Sequence, residues 1–379
     1  MRVMEKFKDI FANRHQYAQD WKTKHSGKVA GYFCIYVPEE ILYAANTLPI
    51  RVIGSREPED VTEPYITGWW CPHTRSALAE ALKGRYSYVD GIMIGNSCPH
   101  IFQTFFSWSR NLSPSLAYDF WMPMNLRNAS VPEYMYKQFK ELQNRVEQWV
   151  GKPISQDSLL RSIATYNTNR QLLHQLYELR KGYSPPISGA DTMEITLAGM
   201  VMDKEDHTQL LKETFKDLET KTSSKDPGVR LLLLASEFDD VEVIRFIESL
   251  GATVVIDEMC TGSRYFWGPP VSLDGDVMKG LVNRYVNRPS VCPHKDIVER
   301  YRIPQIMRFV EEYRVQGVVY LLEKFCEPHG YDLPKLKALF ESRGLPFLLL
   351  EVDLTTPVGQ FRTRVEAFLD MIREKAVTA

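Results

Sequence analysis

The chain has 379 residues, 44% hydrophobic and 25% charged, with a formal net charge of −2. That balance is globular and gives no electrostatic basis for binding nucleic acid or an anionic membrane. The length allows two or three domains, and no apolar run reaches the roughly 20 residues a spanning helix needs.

The N-terminal stretch, MRVMEKFKDIFANRHQYAQDWKTKH, is charged throughout and lacks the apolar centre of a secretory signal. It reads as an amphipathic helix over residues 1–25, and the expected location is cytoplasmic. An apolar strand follows at Tyr32–Val37, Pro38 opens a helix (PEEILYAANTL), and Pro49–Ile53 forms a second strand. Thr74–Leu82 is helical, Tyr88–Gly95 is a third strand, a helix follows Pro99, and Leu116–Trp121 is a fourth strand. Strands alternating with helices predict a parallel sheet with βαβ crossovers.

Residues 130–223 carry long, charged, helix-periodic stretches with no β-rich interruption, which predicts a helical connector or cap. The polar segment TKTSSKDPG (220–228) reads as a linker. Alternation then resumes: strands at Val229–Ser236, Thr253–Asp257, Gly317–Leu322 and Phe347–Val352. Helices are expected after Ser236 as far as Leu250, at Val277–Val286, Ile303–Val315 and Leu333–Arg343, and from Val358 to Lys375. The fold class is therefore α/β, with two similar parallel-sheet lobes. The expected boundaries are 1–129 for the N-terminal helix and first lobe, 130–223 for the helical connector, and 224–379 for the second lobe and C-terminal helix.

The tripeptide Cys-Pro-His occurs at Cys71–His73, Cys98–His100 and Cys292–His294, with a looser copy at Cys326-Glu327-Pro328-His329. Proline suits the first position of a helix, so the cysteine before it takes the N-cap. There the helix dipole should lower its pKa and favour thiolate, the form that binds metal. The alternative is an ordinary helix start with a buried cysteine. With a cytoplasmic location, the six cysteines are expected to be free, metal-bound or catalytic rather than paired. Cys98, Cys260 and Cys326 fall just past strand ends, where open α/β sheets bind ligands.

Other chemistries lack their motifs. There is no G-x-x-x-x-G-K-[ST], no G-x-G-x-x-G after the first strand of either lobe, no H-E-x-x-H and no compact C-x-x-C pair.

Six segments carry a resemblance: YVPEEILYAANTLPIRVIG (36–54), WWCPHTRSALAEAL (69–82), YVDGIMIGNSC (88–98), DEMCTGSRYF (257–266), GVVYLLEKFCEPHGYDLPKLKALFESRGLPFLLLEVD (317–353) and TTPVGQFRTRVEAFLDMI (355–372). In this order the chain resembles the catalytic subunits of the 2-hydroxyacyl-CoA dehydratase and benzoyl-CoA reductase family. The resemblance implies two Rossmann-like lobes with helical additions and one [4Fe–4S] cluster in the interlobe cleft. By motif, its three ligands map to Cys71, Cys98 and Cys326. It also implies a homologous second catalytic subunit and separate ATP-hydrolysing activator subunits fed by ferredoxin, which fits the missing P-loop. The chemistry it implies is radical: one electron enters the thioester carbonyl of an acyl-CoA and gives a ketyl-type intermediate. Three protein thiolates would leave one iron with an exchangeable position, as catalytic metal sites do.

DEMCTGSRYF and TTPVGQFRTRVEAF look most like the smaller member of the catalytic pair of ATP-dependent benzoyl-CoA reductase, which dearomatises an aromatic acyl-CoA. The beta subunit of an (R)-2-hydroxyacyl-CoA dehydratase and a non-catalytic electron-relay subunit are the alternatives. Double-cubane cluster proteins fit less well: they carry a Cys-x-Cys pair near the position of Cys292, where this chain has Val291-Cys292.

Several residues have two readings. Glu40 is an acid or base near the thioester, or complements the dipole of its helix; Glu39 is expected to be solvated. His73 and His100 donate to cluster sulfur or to reduced substrate, or merely cap helices. Arg264 and Tyr265 contact CoA phosphates or the acyl group, or pack structurally. Cys260 is expected to line the site and Cys34 to pack in the core. Cys292 caps a helix or lies beside the cluster.

Overall fold

The alternating pattern closes into two separate parallel sheets. The computed structural model describes residues 3–219, 226–295, 299–353 and 357–378. The first sheet holds β1 (Lys28–Tyr32), β2 (Thr47–Arg51), β3 (Gly91–Gly95) and β4 (Leu116–Phe120), in the order β2-β1-β3-β4. The second holds β5 (Val229–Ala235), β6 (Ala252–Glu258), β7 (Gly317–Glu323) and β8 (Phe347–Val352), in the equivalent order β6-β5-β7-β8. All pairings are parallel. Every residue of β5 is buried, as expected of a strand covered on both faces. The strand order reverses between β1 and β3 and again between β5 and β7. The crevices outside those carboxyl ends are where such sheets bind ligands.

Two strands begin earlier than their apolar runs suggest. The expected strand at Tyr32–Val37 is instead β1 ending at Tyr32, followed by a buried bend over residues 33–37. The run is apolar because the bend itself is core, not because it is extended. β2 starts at Thr47 rather than Pro49. The N-terminal helix breaks at Asn13 into Val3–Ala12 and Arg14–His25. The helix expected at Leu333–Arg343 starts six residues sooner, spanning Glu327–Ser342. The C-terminal helix runs from Arg362 after a 3₁₀ turn at Val358–Phe361.

The helical stretch contains Val131–Val150, Gln156–Glu178, Gly189–Gly199 and Lys204–Glu219. Helix Val131–Val150 buries Met135, Phe139, Leu142 and Val146, a stripe at helical spacing; burying each such side chain contributes on the order of 1.5–3 kcal/mol. It packs on β4 and on helix Val277–Val286. Gly91 lets it approach: a Cβ there would lie 2.8 Å from the Trp149 ring. Helix Gly189–Gly199 packs on β6, and Gln156–Glu178 packs on helix Glu39–Ala44. These helices thus bridge the two sheets, and a single contiguous apolar core includes residues of both. The linker residues 220–225 lie outside the described residues, as do 354–356, which include the first two residues of the TTPVGQ segment.

Candidate functional site: a thiol cluster at the strand ends

Cys71, Cys98 and Cys326 are each the N-cap of a helix: Pro72–Leu82, Pro99–Leu112 and Glu327–Ser342. Cys71 and Cys98 have the extended conformation usual at an N-cap, with Pro at the next position. Two of these helices follow the first lobe's strands and the third follows β7, so the thiols come from both sheets. All six cysteines are free.

The three thiols sense one another. Burial pushes Cys71 well up, and Glu323, Cys326 and Cys98 push it further. Burial raises Cys98 strongly, with Cys326 adding to it. Cys326 is pushed up to about 12, first by burial and then by Glu323. The N-cap positions are as expected, but the expected depression of thiol pKa is not found. Desolvation outweighs the helix dipole, and these thiols are protonated when no cation is near.

A donor set of three free thiols at neighbouring helix N-caps, Cys71 buried and Cys98 and Cys326 partly exposed, would suit a group that brings its own positive charge and displaces the protons. Among the described residues, no group of three or more His, Cys, Asp or Glu converges to hold a single metal ion. That concerns a mononuclear site, whose ligands all lie about 2.0–2.3 Å from one point. In an iron–sulfur cluster each thiolate would hold a different iron.

Neighbouring groups complete the site. Cys71 N–H donates to His100 Nδ1 at 3.1 Å, so the neutral ring carries its proton on Nε2. The His100 ring lies 4.5 Å from that of Trp70. The Cys71 thiol lies 3.5 Å from Thr74 Oγ1. His73 is buried, and desolvation lowers its pKa against the pull of Glu237 and Asp239. Glu323, at the end of β7, accepts from Ser236 Oγ at 2.7 Å. Burial, with Asp239, Glu237 and Asp353 nearby, pushes its pKa up to about 8. Sequence reading misses this protonated acid because nothing in its strand sets it apart.

The other expected site residues are placed as follows. Glu40 is completely buried; Arg170 Nη1 lies 2.5 Å from Oε1, and Tyr285 donates to Oε2 at 2.8 Å. Burial would raise its pKa, but Arg170 overcomes this and holds it low. Glu39 is not solvated as expected. It is 3% exposed and accepts from Tyr265 at 3.1 Å and Tyr166 at 3.3 Å, with Lys204 Nζ at 3.6 Å. Tyr265 is thus buried against Glu39. Arg264 is buried too, with Nε 3.1 Å from Glu258 Oε1 and Nη2 3.3 Å from His329 Nε2. Leaving either partner of such a buried pair alone is costly. Cys292 precedes a short 3₁₀ turn, Pro293–Lys295, rather than an α-helix, and its N–H donates to Tyr36 at 3.0 Å. Cys260 N–H donates to Ser236 O at 2.8 Å, beside the end of β5. Cys34 is buried in the bend after β1.

This arrangement can be set beside known proteins. The pattern of the family described as 2-hydroxyglutaryl-CoA dehydratase, D-component, matches residues 34–372. The chain belongs to this family. Among its relatives, one of the subunits of the benzoyl-CoA reductase of Thauera aromatica is 26% identical over 363 residues, covering 94% of each chain. The (R)-phenyllactyl-CoA dehydratase beta subunit of Clostridium sporogenes is 24% identical over 367 residues, 97% of each. The beta subunit of the (R)-2-hydroxyglutaryl-CoA dehydratase of Acidaminococcus fermentans is 22% identical over 375 residues, 98% of this chain and 99% of that one. Each of these is a subunit of a larger enzyme, so membership implies a partner subunit and action on an acyl-CoA. Among the described residues, no helix is long and apolar enough to cross a membrane.

Proposed function

We propose that this chain is the iron–sulfur subunit of a benzoyl-CoA reductase-type complex, carrying one [4Fe–4S] cluster on Cys71, Cys98 and Cys326. The supporting observation is that three free thiols from two lobes cap three helices at the strand ends and share one electrostatic environment. When bound, such a cluster supplies single electrons at low potential. ATP-hydrolysing activator subunits, fed by ferredoxin, would deliver the electron, and a homologous second subunit would complete the catalytic pair in the cytoplasm.

The chain's own residues have the remaining tasks. Cys71 is buried, and Cys98 and Cys326 are only partly exposed to water. His100 fixes the backbone N–H of Cys71, and Ser236 holds Glu323, which retains its proton at neutral pH. In this reading Glu323 is the acid at the site. Glu40 braces the lobes through Arg170 and Tyr285 instead of transferring protons. Arg264 and Tyr265 shape the walls from within. The near-complete alignment with a dehydratase beta subunit favours, as a second reading, the same cluster in a 2-hydroxyacyl-CoA dehydratase.

Anaerobic co-purification with the partner subunit, followed by iron analysis and EPR of Cys71→Ala, Cys98→Ala and Cys326→Ala, tests the ligand set. A full cluster in any of the three variants would remove that residue. Turnover of benzoyl-CoA, but not of an (R)-2-hydroxyacyl-CoA, in the presence of the activator supports the reductase; the reverse establishes the dehydratase.

A further inference from the structure

In the looser Cys-Glu-Pro-His copy, the extra Glu327 moves the histidine from the second helical position to the third. The backbone N–H of the third position faces the side chain of an N-cap, and that of His329 eases the Cys326 thiol pKa down against burial. The His329 ring is 3% exposed and held from both sides. Its Nε2 lies 3.3 Å from Arg264 Nη2 and 3.4 Å from Nη1. A guanidinium has donors only, so Nε2 is the acceptor and the ring carries its proton on Nδ1. Nδ1 lies 2.9 Å from the Tyr320 hydroxyl, which accepts there and donates back to His329 O at 3.1 Å.

Arg264 is itself clamped. Its Nε lies 3.1 Å from Glu258 Oε1, and Arg302 lies 3.3 Å from the other oxygen of that carboxylate and 3.0 Å from Asp332 Oδ2. Asp332 sits one turn beyond His329 on the helix that Cys326 caps. All four charged side chains are buried. Apolar packing does little at this end of the helix: before Leu336 it buries only Pro328, His329 and Asp332. The helices behind the other two thiols are seated by apolar side chains, Leu78 and its alanine neighbours in one, Ile101 and Phe105 in the other. A buried ionic network gains little stability over apolar packing; what this one supplies is a fixed position. We propose that His329 is a positioning residue for Cys326: clamped between Arg264 and Tyr320, it sets where the Cys326 sulfur stands relative to Cys71 and Cys98. Only what that sulfur holds rests on the cluster reading above.

The test uses the full chain purified anaerobically with its partner subunit, iron-free and iron-loaded. His329→Leu removes both ring contacts at similar size, His329→Gln keeps an acceptor for Arg264, and Tyr320→Phe removes the hydroxyl alone. Alkylation of the iron-free protein is followed cysteine by cysteine by mass spectrometry, and the loaded protein by EPR. His329→Leu is expected to speed alkylation of Cys326 about tenfold, to leave Cys71 and Cys98 unchanged, and to alter the EPR spectrum. His329→Gln should stay close to wild type, and Tyr320→Phe should shift the Cys326 rate in the same direction by less. An unchanged Cys326 rate in both His329→Leu and Tyr320→Phe overturns the proposal. An equal rise at all three thiols also overturns it, because that is general loss of stability. If His329→Leu does not fold, Tyr320→Phe decides by the same criteria. A selective rise at Cys326 with no iron in the wild type supports the positioning and overturns the cluster reading.

Discussion

Glu40 Oε1 lies 2.5 Å from Arg170 Nη1, with both side chains buried. The adjacent Glu39 repeats the pattern, facing Lys204 at 3.6 Å. Each carboxylate also accepts from a tyrosine of the second lobe, Tyr285 for Glu40 and Tyr265 for Glu39. Two consecutive residues of one short helix therefore pin the first lobe to the helical segment and to the second lobe.

Removing one side of that pairing should be severe. Arg170→Met leaves a buried carboxylate uncompensated and should cost about 3–5 kcal/mol, read as a lower urea midpoint. Glu40→Gln should cost less, since Tyr285 can still donate. The double variant should recover part of the Arg170→Met loss. A change below about 1 kcal/mol in Arg170→Met would show that the pair does not brace the fold.

His207 should make the protein acid-sensitive. Its Nδ1 accepts from Asn169 at 2.8 Å, and its Nε2 donates to Ile195 O at 2.9 Å, which fixes a neutral ring. Burial, assisted by Lys204, lowers its pKa to about 3. The unfolded chain takes up the proton near pH 6.5. The stabilisation is therefore complete above about pH 6.5 and is lost as pH falls towards about 3, amounting to a few kcal/mol. His207→Gln should be less stable at neutral pH but show a flatter acid limb in denaturation series from about pH 7 to 4. An unchanged slope would refute the assignment.

Under the proposed cluster assignment, iron uptake should be strongly pH-dependent. Burial keeps the three N-cap thiols protonated, so ligation must release protons. Reconstitution of iron-free protein in weak buffer should release close to three protons per cluster, and affinity should fall as pH is lowered. No proton release would mean that the thiols are already ionised.

Gly262 should tolerate no side chain. A Cβ there would lie 2.0 Å from Asp257 Oδ1 and 2.7 Å from its Cγ. Asp257 also accepts from Ser263 N–H at 2.6 Å, so it cannot easily yield. Gly262→Ala should cost about 1–3 kcal/mol and lower the melting temperature. An unchanged melting temperature would show that the turn relaxes freely.

Much of the fold is legible because it is written locally. The Cys-Pro signature locates two N-caps, and helix Val277–Val286 and strand Phe347–Val352 appear with the limits their patterns suggest. The Cys326 motif is equally visible, yet periodicity starts its helix too late, because Pro328 sits at the second helical position and Pro334 lies inside the helix. What escapes a sequence reading is long-range. Glu39 meets Tyr265 across 226 residues of sequence, and Glu40 meets Tyr285 across 245. No periodicity records such a partner, so a first-turn glutamate reads as solvated. The thiol pKa direction escapes for a related reason: the helix dipole is visible in the sequence, but the depth of burial is not.

The origin of the thiols in both sheets has a consequence for biogenesis. Cys71 and Cys98 are in place once the first sheet forms, but Cys326 arrives only with β7, more than 200 residues later in the chain. A nascent N-terminal half would expose two of the three thiols with nothing to complete the set. Delivery of any metal cargo to this trio must wait until the whole polypeptide has been synthesised and its halves have docked. Under the proposed cluster assignment, any maturation machinery would then have to recognise a finished surface rather than a linear peptide.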